Sequence, residues 1–310
     1  MRRTLIARVA AVAAISALAL TACGGGGGGN PLSSGSTGSA APTDTIKIGS
    51  ANFTESQIIA AIYGQALQAK GVKVETTPPI GSREAYYPAL QDGSIDLIPE
   101  YTGTLLQYIK KDATETEPDA VYTALQSALP PTLTVLQKSA AEDRDAVVVT
   151  RATATQYNLK TMDDLAPACG QMVFGGPPEF QTRPDGIPGI QKTYGCTFKS
   201  YLPLDAGGPL TVAGLKDRNV QAADIFSTDA SIKTNDFVVL DDPKSNFAAQ
   251  NVVPLITKAK ATPQVTEVLD AISAKLTTQG LTDLNAEAAS DAKPSAETVA
   301  KNWLTANGLA

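Results

Sequence analysis

The chain holds no histidine, and that absence decides most of what its reactive side chains can do. Without imidazole there is no Ser-His or Cys-His nucleophile pair, no histidine general base and no zinc site of the kind that needs one. Carboxylates are plentiful, and pairs such as Asp96 with Glu100 or Asp224 with Asp229 have a spacing that general acid–base work would accept. Such spacings recur by chance in any chain with 31 acidic residues, and no Ser-Lys or carboxylate-only signature accompanies them. The run from Gly24 to Gly29 has no preceding strand and no following Lys-Ser/Thr, so it is no phosphate loop. No catalytic residue, metal ligand or cofactor is expected, and binding is the chemistry that remains.

An internal repeat indicates where binding would occur. Leu90, Asp92, Ile95, Tyr101 and Thr102 have counterparts in Leu215, Asp217, Val220, Phe226 and Ser227, each 125 positions later. The shared pattern is a helix end, a turn, a strand, then an aromatic and a hydroxyl residue. If the copies lie in different lobes, Tyr101 and Phe226 both stand just past the carboxyl end of a strand, where open α/β sheets bind ligands. Two lobes would then present matching aromatics across one cleft. The plainer alternative is chance agreement between two ordinary helix–turn–strand units.

The elements that must hold these residues alternate, which predicts an α/β class. A strand is expected at Ile46 to Gly49, a helix from Glu55 to Ala69 and a strand at Val72 to Val74. Thr54 and Gln57 have the spacing of a capping box, with Phe53 and Ile58 placed as a hydrophobic staple. Helices are predicted near Arg83 to Gln91, after Thr102 and from Pro118 to Leu129, with strands at Ile95 to Ile98 and Leu133 to Leu136. A β-rich run at Ala146 to Thr150 opens a second unit that ends near Val252 to Ile256, and helical patterns return over 266–276 and 296–304. One lobe is thus expected to comprise 45–146 with 257–310, and the other to be an insertion of 147–256.

The amino terminus reads as an address. Arg2, Arg3 and Arg8 precede an apolar stretch from Val9 to Leu20 that is too short for a stable membrane span. It ends Leu20-Thr21-Ala22-Cys23, which looks like a bacterial lipobox, so 1–22 is expected to be a lipoprotein signal peptide and Cys23 the lipidated residue. Residues 23–44, rich in Gly, Ser, Thr and Pro, cannot bury enough surface to offset their backbone entropy and are expected to be a tether. Setting Arg2, Arg3 and Arg8 aside takes the formal charge from −6 to −9, so nucleic acid is not an expected partner. Outside the cytoplasm, Cys169 and Cys196 are expected to form a structural disulfide rather than a metal or redox site. In the chain-entropy model such a link is worth roughly 3–4 kcal/mol.

Four motifs taken together resemble a known family. Asn52-Phe53-Thr54-Glu55, Pro99-Glu100-Tyr101-Thr102-Gly103-Thr104, Arg183-Pro184-Asp185-Gly186 with Tyr194-Gly195, and Phe226-Ser227-Thr228-Asp229 resemble the osmoprotectant substrate-binding lipoproteins of ABC importers, the glycine betaine, choline and carnitine group. The likeness runs from about Ile46 to Trp303. It implies a type II periplasmic-binding-protein fold, two α/β lobes with a ligand cleft between them. It also implies a protein held at the outer face of the cytoplasmic membrane only by its lipid, acting as a monomer. Such a protein captures a small organic solute and delivers it to a permease driven by an ATPase.

For that ligand class the candidate residues take definite roles. A quaternary ammonium has no N–H donor and is held by aromatic faces, each worth roughly 0.5–2 kcal/mol; Tyr101 and Phe226 are the cage candidates. Arg183 is the candidate anion clamp. Asn52 and Thr54 open a helix whose free N–H groups can meet a ligand oxygen. Ser82 either caps the next helix or touches ligand, and Asp229 either binds or caps; Thr102 and Thr228 complete the motif positions. Pro79 and Val212 stand where aromatics are expected, and Tyr86 and Tyr87 could replace them. The shortage of rings leaves two alternatives, a phenolic or other polar solute in the same fold, and a lipoprotein scaffold without a small ligand.

Overall fold

The computed structural model describes residues 44–310; the expectations for the signal peptide, for Cys23 and for nearly all of the tether lie outside these residues. The chain folds through β1 (Ile46–Ile48), α1 (Thr54–Ala69), β2 (Val74–Thr76), α2 (Arg83–Gln91), β3 (Leu97–Tyr101), α3 (Thr102–Ile109), α4 (Pro118–Ala128) and β4 (Leu133–Val135). It then forms β5 (Val147–Thr150), α5 (Arg151–Tyr157), β6 (Val173–Gly176), α6 (Ile187–Tyr194), β7 (Ser200–Pro203), α7 (Pro209–Lys216), β8 (Ala222–Asp224), α8 (Ala230–Thr234) and β9 (Phe237–Val239). It ends with β10 (Val252–Thr257), α9 (Pro263–Ser273), α10 (Thr278–Ala288) and α11 (Ala296–Asn307). Among the described residues no helix is long and apolar enough to cross a membrane.

Two five-stranded sheets result, ordered β2-β1-β3-β10-β4 and β7-β6-β8-β5-β9. β1 runs parallel to β2 and β3, and β6 parallel to β7 and β8, whereas β10 and β5 enter antiparallel to their neighbours. Those two antiparallel strands are the ones that follow the passages between sheets. The inserted lobe, expected to run to 256, ends earlier: β10 pairs with β3 and β4 in the first sheet. Its apolar run, buried over Val252 to Ile256, is the signature of a central strand, but that run is silent about which sheet it joins. The two passages run side by side, with Asp143 N donating to Gln250 O at 3.1 Å and Val252 N to Ala141 O at 3.0 Å.

Each sheet is covered on both faces, as parallel-type sheets require. α1 buries Ile58, Ile59, Ile62, Tyr63, Ala66 and Leu67, spaced by three or four residues, against β1 and the helices α9 to α11. Each such large side chain contributes roughly 1.5–3 kcal/mol through removal from water. α1 starts differently from the expected capping box. Phe53 occupies the N-cap position without a side-chain cap, and Thr54 is exposed. Ser56 instead accepts the Ala51 N–H at 2.9 Å, a local bond that turns the chain into the helix, while the Phe53 side chain packs on the cluster that includes Ile58.

The repeat is structural. Asp92 and Asp217 are the C-caps of α2 and α7, bonded through their N–H groups to Pro88 O and Ala213 O. Gly93 and Arg218 follow at φ 79° and 60°, and Ile95 N and Val220 N both bond six residues back, to Ala89 O and Gly214 O. Glycine suits that left-handed turn; arginine pays for it in backbone strain. The copies then diverge only in where the strand ends, at Tyr101 in β3 and at Asp224, two residues before Phe226, in β8.

Cys169 and Cys196 are buried and unbonded to one another, a correction to the expected disulfide. The segment is held without it: Cys169 Sγ donates to Ala166 O at 3.6 Å, and Lys199 N–H reaches Cys169 O and Met172 O. Burial pushes the Cys196 thiol up, with a contribution from Cys169 beside it.

Candidate functional site

Between the sheets lies a cleft lined from the first lobe by Ala51, Phe53, Ser82, Arg83, Tyr86, Pro99, Tyr101 and Thr104. The second lobe contributes Pro177, Glu179, Arg183, Ala206 and Phe226, and the paired connection adds Asp143, Asp145 and Gln250. Tyr101 is the last residue of β3 and Phe226 follows β8, so the repeat does place its two aromatics on opposite walls. The ring of Phe53 sits between them, with centroids 5.9 Å from Tyr101 and 4.9 Å from Phe226. Expected as a staple for α1, Phe53 also lines the cleft, whose aromatics are Phe53, Tyr86, Tyr101 and Phe226.

The floor is a buried ionic network. Arg83 Nε donates to Glu100 Oε1 and Nη2 to Glu100 Oε2, both at 2.8 Å, and Nη2 also reaches Thr104 Oγ1 at 2.8 Å. Tyr86 O–H donates to Glu100 Oε1 at 2.8 Å, and the Tyr101 N–H to Oε2 at 2.9 Å. Glu100 is 0% exposed and Arg83 5%; burial works against the Arg83 charge, but Glu100 outweighs it and holds the guanidinium above its ordinary range. A carboxylate inside the apolar run Leu97-Ile98-Pro99-Glu100-Tyr101 was the available sequence signal, since a strand buried at all five positions must supply that charge with a partner. Tyr86 therefore belongs to the cleft, while Tyr87 turns away to pack edge-on against Tyr108, centroids 5.2 Å apart.

A second network joins the lobes. Glu55, buried, accepts Tyr101 O–H on Oε1 at 2.7 Å. Its Oε2 accepts Thr228 O–H at 2.6 Å and Asn285 Nδ2–H at 2.7 Å. Asp143 Oδ1 accepts the Thr228 N–H at 3.0 Å and the Ser227 hydroxyl at 3.3 Å. Burial raises both carboxyls, and the neighbouring Glu55 charge raises Asp143 well above the usual carboxylate range. Asn285 lies on α10, a helix absent from the sequence-based expectations, and nothing in its local pattern marks it as a partner for Glu55.

Arg183 crosses the mouth of the cleft. Its Nε and Nη2 donate to Glu84 Oε1 and Oε2 at 3.1 and 3.0 Å, with Glu179 4.0 Å away. Burial alone would raise Glu84, yet the hydrogen bond and charge of Arg183 hold it down at about 2. The expected anion clamp thus already grips a carboxylate of the opposite lobe.

The other expected residues separate into two groups. Ser82 lines the cleft at the N-cap of α2 and makes no side-chain cap bond. Asn52, Thr54, Thr228 and Asp229 line a neighbouring cavity on the far side of Phe53 and Phe226, along with Val212. Asp229 caps α8 through Ser231 N, and Thr228 is the hydroxyl that bonds Glu55. Thr102 touches neither cavity: it donates to Ala249 O and accepts from Asn251 N, tying β3 to the passage before β10. Pro79 is exposed and lines neither cavity.

Comparison with known proteins agrees with this architecture. Residues 44–306 match the family model described as the substrate binding domain of the ABC-type glycine betaine transport system. A glycine-betaine-binding protein of Pseudomonas aeruginosa is 28% identical over 260 residues, covering 79% of this chain and 83% of the relative. The carnitine transport binding protein OpuCC of Listeria monocytogenes is 27% identical over 252 residues, covering 79% and 81%. A solved structure of a glycine betaine/carnitine/choline ABC transporter superposes with a TM-score of 0.68 at 26% identity, over 85% of this chain and 99% of that one. Two mixed sheets, a paired connection and an interlobe cleft are thus the type II periplasmic-binding-protein fold, and the chain belongs to the family of substrate-binding domains of ABC-type glycine betaine transport systems.

Proposed function

We propose that this protein captures a quaternary ammonium osmoprotectant, of the glycine betaine, choline and carnitine group, between its lobes and delivers it to an ABC permease driven by an ATPase. The observation that carries the reading is the convergence of Phe53 and Tyr101 from one lobe with Phe226 from the other. A quaternary ammonium gains from ring faces what it loses from water, and it needs no hydrogen-bond acceptor. Tyr101 is suited to this because its hydroxyl is fixed on Glu55, leaving the ring oriented before any solute arrives. Ser82 and Arg183 lie within reach of a solute's polar end, while Asn52, Thr54, Thr228 and Asp229 line the adjoining cavity, where Thr228 bonds Glu55 of the other lobe.

Closure supplies the mechanism. The bonds from Arg183 to Glu84 and from Thr228 to Glu55 pass from one lobe to the other, so they exist only when the lobes are together. A solute touching both walls adds its own interactions to the closed form alone and shifts the population toward it. The permease reads that form. Lipidation at Cys23 would keep the monomeric domain at the outer face of the cytoplasmic membrane, within range of the permease.

A thermal-shift and calorimetry panel of glycine betaine, choline, carnitine and small phenolics tests the reading. At a hundredfold excess over its Kd a ligand stabilises by about 2.7 kcal/mol, a shift of roughly 5–10 °C for a domain of this size. The Tyr101→Ala variant is expected to lose most of the affinity while still melting cooperatively. A shift with phenolics alone would mean that the fold has kept its cleft and exchanged its ligand; no shift with any would refute solute capture of this class.

A further inference from the structure

The charges around the cleft do not balance. Two guanidiniums line it, Arg83 and Arg183, and each already has a carboxylate across a two-point fork, Glu100 and Glu84. Glu179, Asp143 and Asp145 line the same walls, which makes five carboxylates against two cations. Even with Asp143 counted as neutral, four carboxylates face two guanidiniums. Asp145 stands out among them: it is 6% exposed, it accepts Gln250 Nε2–H at 3.0 Å on Oδ2, and among the described residues no cation lies within ion-pair distance, the charge of Arg183 acting on it only from farther away. Beyond it Asp224, 1% exposed at the end of β8, has no hydrogen-bond partner for either carboxyl oxygen among the described residues. Burial and the charge of Asp145 push Asp224 well above the ordinary carboxylate range.

A buried carboxylate with no cation in contact is costly unless one arrives to pair with it. The aromatic walls and this surplus therefore ask for the same thing, a positive charge that needs no donor from the protein. A zwitterion brings that charge together with a carboxylate, which would enter a region already negative and meet guanidiniums already paired. We propose that the cleft selects by net charge, taking quaternary ammonium cations without a carboxylate, such as choline, over zwitterions such as glycine betaine, with Asp145 as the counter-charge that sets the preference. The inference rests on the quaternary ammonium reading above and narrows it.

Calorimetric titration of the protein with tetramethylammonium chloride, choline chloride and glycine betaine tests it. The two cations are expected to bind at least tenfold more tightly than glycine betaine. The Asp145→Asn variant is expected to lose at least tenfold for choline and less than threefold for glycine betaine. A second variant, Glu84→Gln, alters a half-exposed side chain and keeps the test open should Asp145→Asn fail to fold. It releases Arg183 from its carboxylate and should move the choline-to-betaine affinity ratio toward glycine betaine by at least threefold. Equal or tighter glycine betaine binding by the unaltered protein overturns the inference while leaving the quaternary ammonium reading intact. So does an Asp145→Asn variant that weakens both ligands alike, or a Glu84→Gln variant with an unchanged ratio. If none of the three compounds binds to protein that melts cooperatively, the quaternary ammonium reading itself falls, and the charge preference with it.

Discussion

Replacing Glu100 with glutamine should cost this protein more stability than any conservative change on its surface. The substitution keeps the side chain's shape and removes one charge from the floor of the cleft. In the structure that charge faces the Arg83 guanidinium through two bonds of 2.8 Å and also accepts from Tyr86 O–H and Tyr101 N–H. Because Arg83 is 5% exposed and Glu100 wholly buried, water cannot replace what is lost. Breaking one side of a buried pair costs about 3–5 kcal/mol, which at roughly 2–4 °C per kcal/mol lowers Tm by about 6–20 °C. The Arg83→Met variant leaves the Glu100 charge stranded in the same way and should cost a similar amount. The double variant removes both charges, so its loss should fall short of the sum of the single losses by at least about 2 kcal/mol. Urea unfolding of the four proteins measures this. A Glu100→Gln loss below about 1 kcal/mol, or simple additivity in the double variant, would refute the claim that this pair is a desolvated, coupled unit.

Two further outcomes follow from the titratable groups and the lobe contacts. Burial, then the charge of Asp145, raises Asp185 from 3.8 to about 6, so between those values the folded state holds a proton that the unfolded chain has released. Stability from this group is therefore lost as pH rises from about 4 to about 6, by on the order of 3 kcal/mol. The Asp185→Asn variant should lack that component, and urea unfolding at pH 4 and pH 7 would show a smaller fall than in the unaltered protein; equal falls would count against it. The Thr228→Val variant removes the hydroxyl that bonds Glu55 at 2.6 Å and leaves a buried carboxyl short of one donor, at about 1–3 kcal/mol. Since the bond joins the lobes, solution scattering should also show a larger radius of gyration; an unchanged radius would place the lobe contact elsewhere.

Local pattern was enough for some of this protein and blind to the rest. α2 lies at Arg83–Gln91 as its pattern predicts, and the repeated helix–turn–strand unit reappears with matching hydrogen bonds, because turn geometry and short-range bonding depend on residues close in the chain. The alternation of elements likewise predicted the α/β class, and the four motifs, through the family they resemble, implied the two lobes and the substrate-binding role. Tertiary structure decided which strand joins which sheet. β10 reads as a buried strand in any register, and only the antiparallel pairing with β3 and β4 shows that the chain has already returned to its first lobe. It also decided what each candidate side chain does. Arg183 grips Glu84 across 99 positions of sequence, and Thr228 meets Glu55 across 173. Phe53, packed on the cluster that includes Ile58, also joins Tyr101 and Phe226, and Asn285 arrives from a helix near the carboxyl end. Residue types and spacings state which contacts a side chain is able to make. Which of them it makes depends on the partners that long-range folding brings within about 3 Å, and a linear pattern carries no term for that distance.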